Sequence, residues 1–138
     1  MGFFEGRIDE EKLFGDVVFP KTLFPRAEDD PSILNLAEMI RRERESLNMM
    51  LQRHGAILFR GFKVESADDF DCVVQAFEWD DMDLVTATTR VRITDRIYTA
   101  NEAPLDQFIN FHHEMALVSI VTELPYFLSD FFLSELFS

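Results

Sequence analysis

The residues best suited to chemistry lie in one short stretch, Asn110–Met115, which holds two of the chain's three histidines. If this stretch is a strand, His112 and Glu114 project from one face and His113 points away, because residues two apart share a face. Two histidines and a carboxylate on one face of the metal hold the iron of non-haem iron(II) oxygenases. The spacing therefore predicts two arms of an iron site, His112 and Glu114.

A plainer interpretation of the same residues stays open. A His-x-Glu triplet is common in an acidic protein, and a histidine that faces solvent or donates a hydrogen bond is the more frequent case. His113 is expected to be packed or hydrogen-bonded, and Met115 is expected to fill space in the core. The third histidine, His54, falls at the end of an outer helix, where we do not expect a metal ligand.

The segments around this stretch must position it. Residues 90–98 alternate apolar and polar side chains, which predicts a strand with one polar face. Thr99–Gln107 is predicted to be a loop because it contains Pro104, and Phe108–Leu117 is predicted to be the strand that carries His112 and Glu114.

A long helix is predicted farther upstream, at about residues 31–54. Asp30 suits its N-cap, Pro31 suits its first turn, and Gly55 is a natural stop. The short apolar run Ala56–Phe59 then predicts a buried strand.

A second helix is predicted from the capping sequence Ser66–Asp69 to about Trp79. The acidic run Glu78–Asp83 that follows is interpreted as a solvated loop, because its spacing does not match a calcium-binding loop. Residues 1–30 are expected to form an irregular arm, with a short strand at Asp16–Phe19.

Composition limits the class of protein. The chain has 138 residues, 47% of them apolar, and a net charge of −13. Phosphate binding needs clustered cations, so nucleic acid and anionic membranes are not expected as partners. No apolar stretch is long enough to span a membrane, and the single cysteine, Cys72, cannot form an intramolecular disulfide. The beginning of the chain does not read as a targeting signal, which favours the cytoplasm.

Several motifs together resemble a known family. Gly55–Phe62 and Ser66–Phe70 look like the taurine dioxygenase family. Thr99–Pro104 with Asp106-Gln107, followed by Phe111–Ala116, resembles more narrowly the plant clavaminate synthase-like branch of that family. The motifs stand in the family's order and at about its spacing.

The resemblance implies an α+β fold that contains a double-stranded β-helix, or jelly roll, with helices packed outside. It implies iron(II) as the metal, 2-oxoglutarate as co-substrate and a small-molecule substrate. By this resemblance His112 matches the first iron ligand and Glu114 the carboxylate ligand. Many relatives use aspartate at the second position, whereas this branch uses glutamate.

The sequence departs from the family after the metal motif. The family's second histidine ligand and the arginine that binds 2-oxoglutarate come later in its chains, yet no histidine follows His113 here and no arginine or lysine follows Arg96. The resemblance fades where the Phe-rich segment Val118–Ser138 begins. We therefore expect a truncated member, with an incomplete jelly roll, an incomplete metal site and little or no activity.

The expected organisation has three parts: an N-terminal arm at 1–30, a partial dioxygenase-like domain at 31–117 and a divergent apolar tail at 118–138. An incomplete jelly roll leaves strand edges open, and such edges invite pairing with another chain. Two alternatives to a dioxygenase therefore remain: a non-catalytic fragment that pairs with a full-length relative, or a gene-model artefact.

Overall fold

The computed structural model describes residues 2–79 and 90–99, together with 104 and 108. The chain divides into two units, Met1–Trp79 and Asp80–Ser138. The described residues form a mixed α+β arrangement, so the predicted fold class is confirmed at that level. The jelly roll stays a prediction. Neither of the two described helices is long and apolar enough to cross a membrane.

Five short strands form two sheets in the first unit. They are β1 (Phe4–Gly6), β2 (Lys12–Phe14), β3 (Val17–Phe19), β4 (Lys21–Phe24) and β5 (Ile57–Phe59). One sheet has the order β1-β4-β5, in which β4 pairs antiparallel with β1 and parallel with β5. The other sheet is the hairpin of β2 and β3. The strand predicted at Ala56–Phe59 is confirmed as β5.

The prediction of an irregular arm over residues 1–30 was wrong, because four of the five strands lie there. Each of these strands has only three or four residues, and their partners stabilise them more than local sequence does. In particular, β4 pairs with β5, which follows it only after the whole first helix. The strand expected at Asp16–Phe19 is found as Val17–Phe19, after a tight turn in which Gly15 adopts a φ of 64°.

The first helix, α1, spans Ile33–His54, close to its predicted bounds. Its N-cap is Ser32, whose hydroxyl accepts a hydrogen bond from the Asn35 N–H at 3.4 Å. The predicted cap, Asp30, lies two residues earlier and accepts a hydrogen bond from the Ser32 N–H at 3.1 Å. Gly55 ends the helix as predicted. It adopts a φ of 74°, which favours glycine, and its N–H donates to the Leu51 carbonyl at 2.8 Å.

The second helix, α2, spans Ala67–Ala76. Ser66 is its N-cap, as predicted, and accepts from the Asp69 N–H at 3.1 Å. The helix ends about three residues before the predicted Trp79. Phe77 is the C-cap and Glu78 adopts a φ of 52°, a left-handed conformation that cannot continue a helix.

The hydrophobic core lies among α1, α2 and the three-stranded sheet. Phe3 enters this core just before β1, and its ring centroid is 5.5 Å from that of Phe59 on β5. The ring of Phe59 in turn lies 6.2 Å from the buried ring of Phe77. The remaining buried apolar residues are Leu23, Leu36, Ala37, Met39, Ile40, Leu47, Val73 and Ala76. This core fixes α1 and α2 against the sheet.

Candidate metal centre

The two predicted iron ligands, His112 and Glu114, lie outside the residues that the structure describes, and so does His113. The strand predicted at Phe108–Leu117 falls there too, except for its first residue. The assignment of His112 and Glu114 as ligands therefore stays a prediction. What the structure does describe is the segment that leads toward them, residues 90–99.

Residues 90–99 fold back on themselves rather than forming the single strand that their alternation predicted. Arg92 pairs with Tyr98 in an antiparallel bridge. The Ile93 N–H donates to the Ile97 carbonyl at 2.8 Å, one step closer to the turn. Apolar and polar side chains alternate both in a single strand and in the two short arms of a hairpin. The alternation of residues 90–98 therefore could not show which of the two structures forms.

Side chains close the tip of this hairpin. The Thr94 hydroxyl accepts from the Arg96 N–H at 3.3 Å and from the Ile97 N–H at 3.1 Å. The Arg92 guanidinium donates to the Thr94 carbonyl at 3.0 Å and to the Asp95 carboxylate at 2.5 Å. Threonine and aspartate favour turns because they bond to nearby backbone in this way.

Thr99 closes the open end of the hairpin through two hydrogen bonds to one residue. Its N–H donates to the Val91 carbonyl at 2.9 Å, and its hydroxyl accepts from the Val91 N–H at 2.9 Å. Thr99 is also the first residue of the Thr99–Pro104 motif that precedes His112. The sequence analysis did not predict this role. The position of Thr99, between the alternating apolar and polar residues 90–98 and the predicted loop, could have suggested it.

The remaining histidine, His54, is already engaged at the end of α1. Its Nδ1 lies 2.7 Å from the Val18 carbonyl oxygen. Because a carbonyl only accepts, Nδ1 carries the proton, and in the neutral ring Nε2 keeps a lone pair. Within the part of the chain that the structure describes, no three His, Cys, Asp or Glu side chains come together as a possible metal site.

Among the residues that the structure describes, two carboxylates have a shifted pKa, and both lie at helix starts. The side-chain hydrogen bond with Ser32 lowers the pKa of Asp30 from its ordinary value. The backbone N–H of Glu65, followed by the hydrogen bond with Ser66, lowers the pKa of Asp69. Hydrogen bonds that favour the charged form explain both directions. These carboxylates stabilise helix ends and do not form a catalytic pair.

Comparison with known proteins found one relative of this chain. No protein-family model matches this chain. The chain is, however, similar to a known plant protein. That relative is a clavaminate synthase-like protein of Arabidopsis thaliana, 40% identical over 119 residues. The match covers 83% of this chain and 36% of the relative, so the chain spans about a third of the relative's length.

The extent of the match bears on the predicted ligands. A continuous span covering 83% of 138 residues contains residues 25–114 wherever it begins. The span therefore includes α1, β5, α2, the hairpin of residues 90–99, and the positions of His112 and Glu114. The expected resemblance to the clavaminate synthase-like branch is supported in this coarse sense.

Proposed function

We propose that this chain is part of an iron(II)/2-oxoglutarate-dependent dioxygenase, an oxidoreductase that acts on a small-molecule substrate, and that His112 and Glu114 are iron ligands. The observation that carries the proposal is the relative's 40% identity over a span that includes both positions. The order of the motifs along the sequence supports it further.

The donor chemistry of the two residues fits iron(II). A neutral imidazole and a carboxylate are two of the three donors of the facial triad, and both must be deprotonated to bind. The side chain of Glu114 is one methylene longer than the aspartate of many relatives. It can therefore bind the iron from a backbone that lies farther from the metal. When bound, iron(II) with 2-oxoglutarate supplies an oxygen-dependent oxidation that releases succinate.

The third ligand must come from outside these 138 residues. No histidine follows His113, and no arginine or lysine that could bind the distal carboxylate of 2-oxoglutarate follows Arg96. His54 is the last residue of α1, and we do not expect it to supply an iron ligand. We infer that a further stretch of polypeptide, in the same chain or in another, supplies both groups. Tested as they stand, the 138 residues should bind iron weakly and turn over little.

The first experiment measures iron binding by the chain alone. Iron(II) and 2-oxoglutarate are added without oxygen, and the visible charge-transfer band of the chelate is recorded, followed by succinate formation in air. Any band should be lost in Glu114→Gln and kept in His113→Ala, the matched control. A band that survives Glu114→Gln, or that disappears equally in His113→Ala, would contradict the assignment.

The second experiment supplies what the chain lacks. Residues 1–114 are joined to the part of the Arabidopsis relative that follows the position matched to Glu114. We expect this chimera to gain the band and to form succinate, and His112→Ala or Glu114→Gln to abolish both. A folded chimera that shows neither signal would defeat the dioxygenase proposal.

A second candidate function rests on the edges of the three-stranded sheet. The Lys21 N–H donates to the Ala56 carbonyl and the Arg60 N–H donates to the Leu23 carbonyl, each at 2.9 Å. By alternation, the backbone groups of Ile57 and Phe59 face away from β4. Among residues 2–79 and 90–99, no further strand pairs with this edge.

An open edge of this kind can pair with another chain, such as a full-length relative. Under this alternative the chain is a non-catalytic interaction fragment. The test is co-purification of the two proteins after co-expression, followed by the mass of the complex. A stable monomer that does not bind the relative would rule the alternative out.

A further inference from the structure

An open cavity of about 450 Å³ lies where the end of α1 meets the hairpin of β2 and β3. Three of its lining residues come from the last turns of α1 and carry soft or basic donors: Met49, Met50 and His54. Met50 and His54 stand four residues apart, so they share one helix face. Met49 precedes Met50 and so projects from a neighbouring face of the helix, is 60% exposed, and also lines the cavity.

The charged residues of this cavity already bind one another. Lys21 forms an ion pair with Glu5, and Arg53 forms one with Asp16 at 3.2 Å. Together with the absence of a three-residue His, Cys, Asp and Glu cluster in the described part of the chain, this argues against a site for a hard divalent ion. The donors that remain are the two thioethers and one imidazole nitrogen.

His54 has the arrangement that metal-binding histidines show. Such a histidine almost always donates its other ring N–H to a carboxylate, a backbone carbonyl or water, which fixes the ring and its tautomer. The Nδ1 of His54 lies 2.7 Å from the Val18 carbonyl oxygen, so Nε2 is the nitrogen with the free lone pair. The hydrogen bond also ties α1 to β3, so the ring is held in place.

We propose that Met49, Met50 and His54 form a site for a soft monovalent metal ion, Cu(I), with the two Sδ atoms and Nε2 as ligands. Thioether ligands select Cu(I) over harder ions. Binding involves no redox step, because the ion enters and leaves as Cu(I). This site does not depend on the dioxygenase proposal, since it shares no ligand with His112 and Glu114.

The test is a competition for Cu(I) between the full chain and a coloured Cu(I) chelator, without oxygen. The Cys72→Ala background is used throughout, because a thiolate also binds this ion. We expect one bound equivalent, at least a tenfold loss of affinity in the Met49→Leu/Met50→Leu pair, and a similar loss in His54→Gln. Met39→Leu is the matched control, since Met39 is on the same helix but only 3% exposed in the core.

Several outcomes would overturn the proposal. They are no binding by the parent chain, unchanged affinity in the Met49→Leu/Met50→Leu pair, or an equal loss in Met39→Leu. Leucine nearly conserves the volume of methionine, so the variants should keep their fold, which far-UV circular dichroism checks.

A second readout needs no folded methionine variant. Ag(I), a redox-inert substitute, is added to the parent chain, and the imidazole nitrogens are observed by NMR. We expect the Nε2 signal of His54, assigned with His54→Gln, to shift while Nδ1 stays protonated. A shift confined to the other histidines would defeat the site.

Discussion

Replacing Phe77 with alanine should be among the most destabilising changes in the first unit. The side chain is 2% exposed, and its ring centroid lies 4.5 Å from that of Trp79 and 6.2 Å from that of Phe59. Loss of the burial of a large aromatic side chain, together with the cavity that its removal leaves, costs about 3–5 kcal/mol. The two ring contacts account for about 0.5–1.5 kcal/mol each within that sum.

Urea unfolding measures this cost directly. Trp79 is the only tryptophan of the chain, so its fluorescence reports the environment of Phe77, and far-UV circular dichroism reports the helices separately. The control is Leu34→Ala on α1, where the side chain is 75% exposed and the change should stay within about 0.5 kcal/mol. If Phe77→Ala lost less than about 1 kcal/mol, the described core would not be the one that holds this unit together.

Two further predictions concern the helix start and the hairpin. The folded-state pKa of Asp69 is lowered by the Glu65 N–H, so its carboxylate stabilises the fold at neutral pH and loses this effect as the pH falls through the folded pKa. The urea midpoint of Asp69→Asn should lie below the parent's at pH 7, and the two midpoints should converge as the pH falls through the folded-state pKa of Asp69. A difference that persists in acid would contradict this cause. Thr99→Val removes the acceptor of the Val91 N–H at a cost of about 0.5–1.5 kcal/mol, so protection of that amide from hydrogen exchange should fall roughly two- to tenfold. Unchanged protection would show that the hydroxyl does not close the hairpin.

The helices could be predicted closely because their signals are local. The apolar spacing of α1 and the glycine at position 55 identified its extent, and Ser66 identified the start of α2. The errors lie at the helix ends and amount to two or three residues. Ser32 caps α1 in place of Asp30, and α2 ends where Glu78 adopts a positive φ, which no helical pattern reveals.

Of the four strands within residues 4–24, only the one expected at Asp16–Phe19 was predicted, and the other three could not be predicted in the same way. Each is three or four residues long, and the register of β4 depends on β5, with Lys21 opposite Ile57. Because the two strands are more than thirty residues apart in the sequence, their pairing does not show as a periodic pattern of apolar residues in β4 or in β5. The hairpin of residues 91–99 was missed for a related reason, since its two arms carry one continuous alternation.

The candidate iron site shows both what motifs can predict and what they cannot. The spacing of His112 and Glu114, together with the motifs before them, predicted a relationship that the Arabidopsis relative supports at a coarse level. The proposed Cu(I) site has no family motif, and it was inferred from the cavity at the end of α1 and from the placement of His54 against Val18. Tertiary contacts of this kind are absent from a one-dimensional pattern.

The most direct test of the central claim is the anaerobic iron(II) and 2-oxoglutarate band of the chimera, measured for the parent, Glu114→Gln and His113→Ala. We expect a band in the parent and in His113→Ala, and none in Glu114→Gln. A band of equal strength in Glu114→Gln would show that Glu114 is not an iron ligand and would contradict the account.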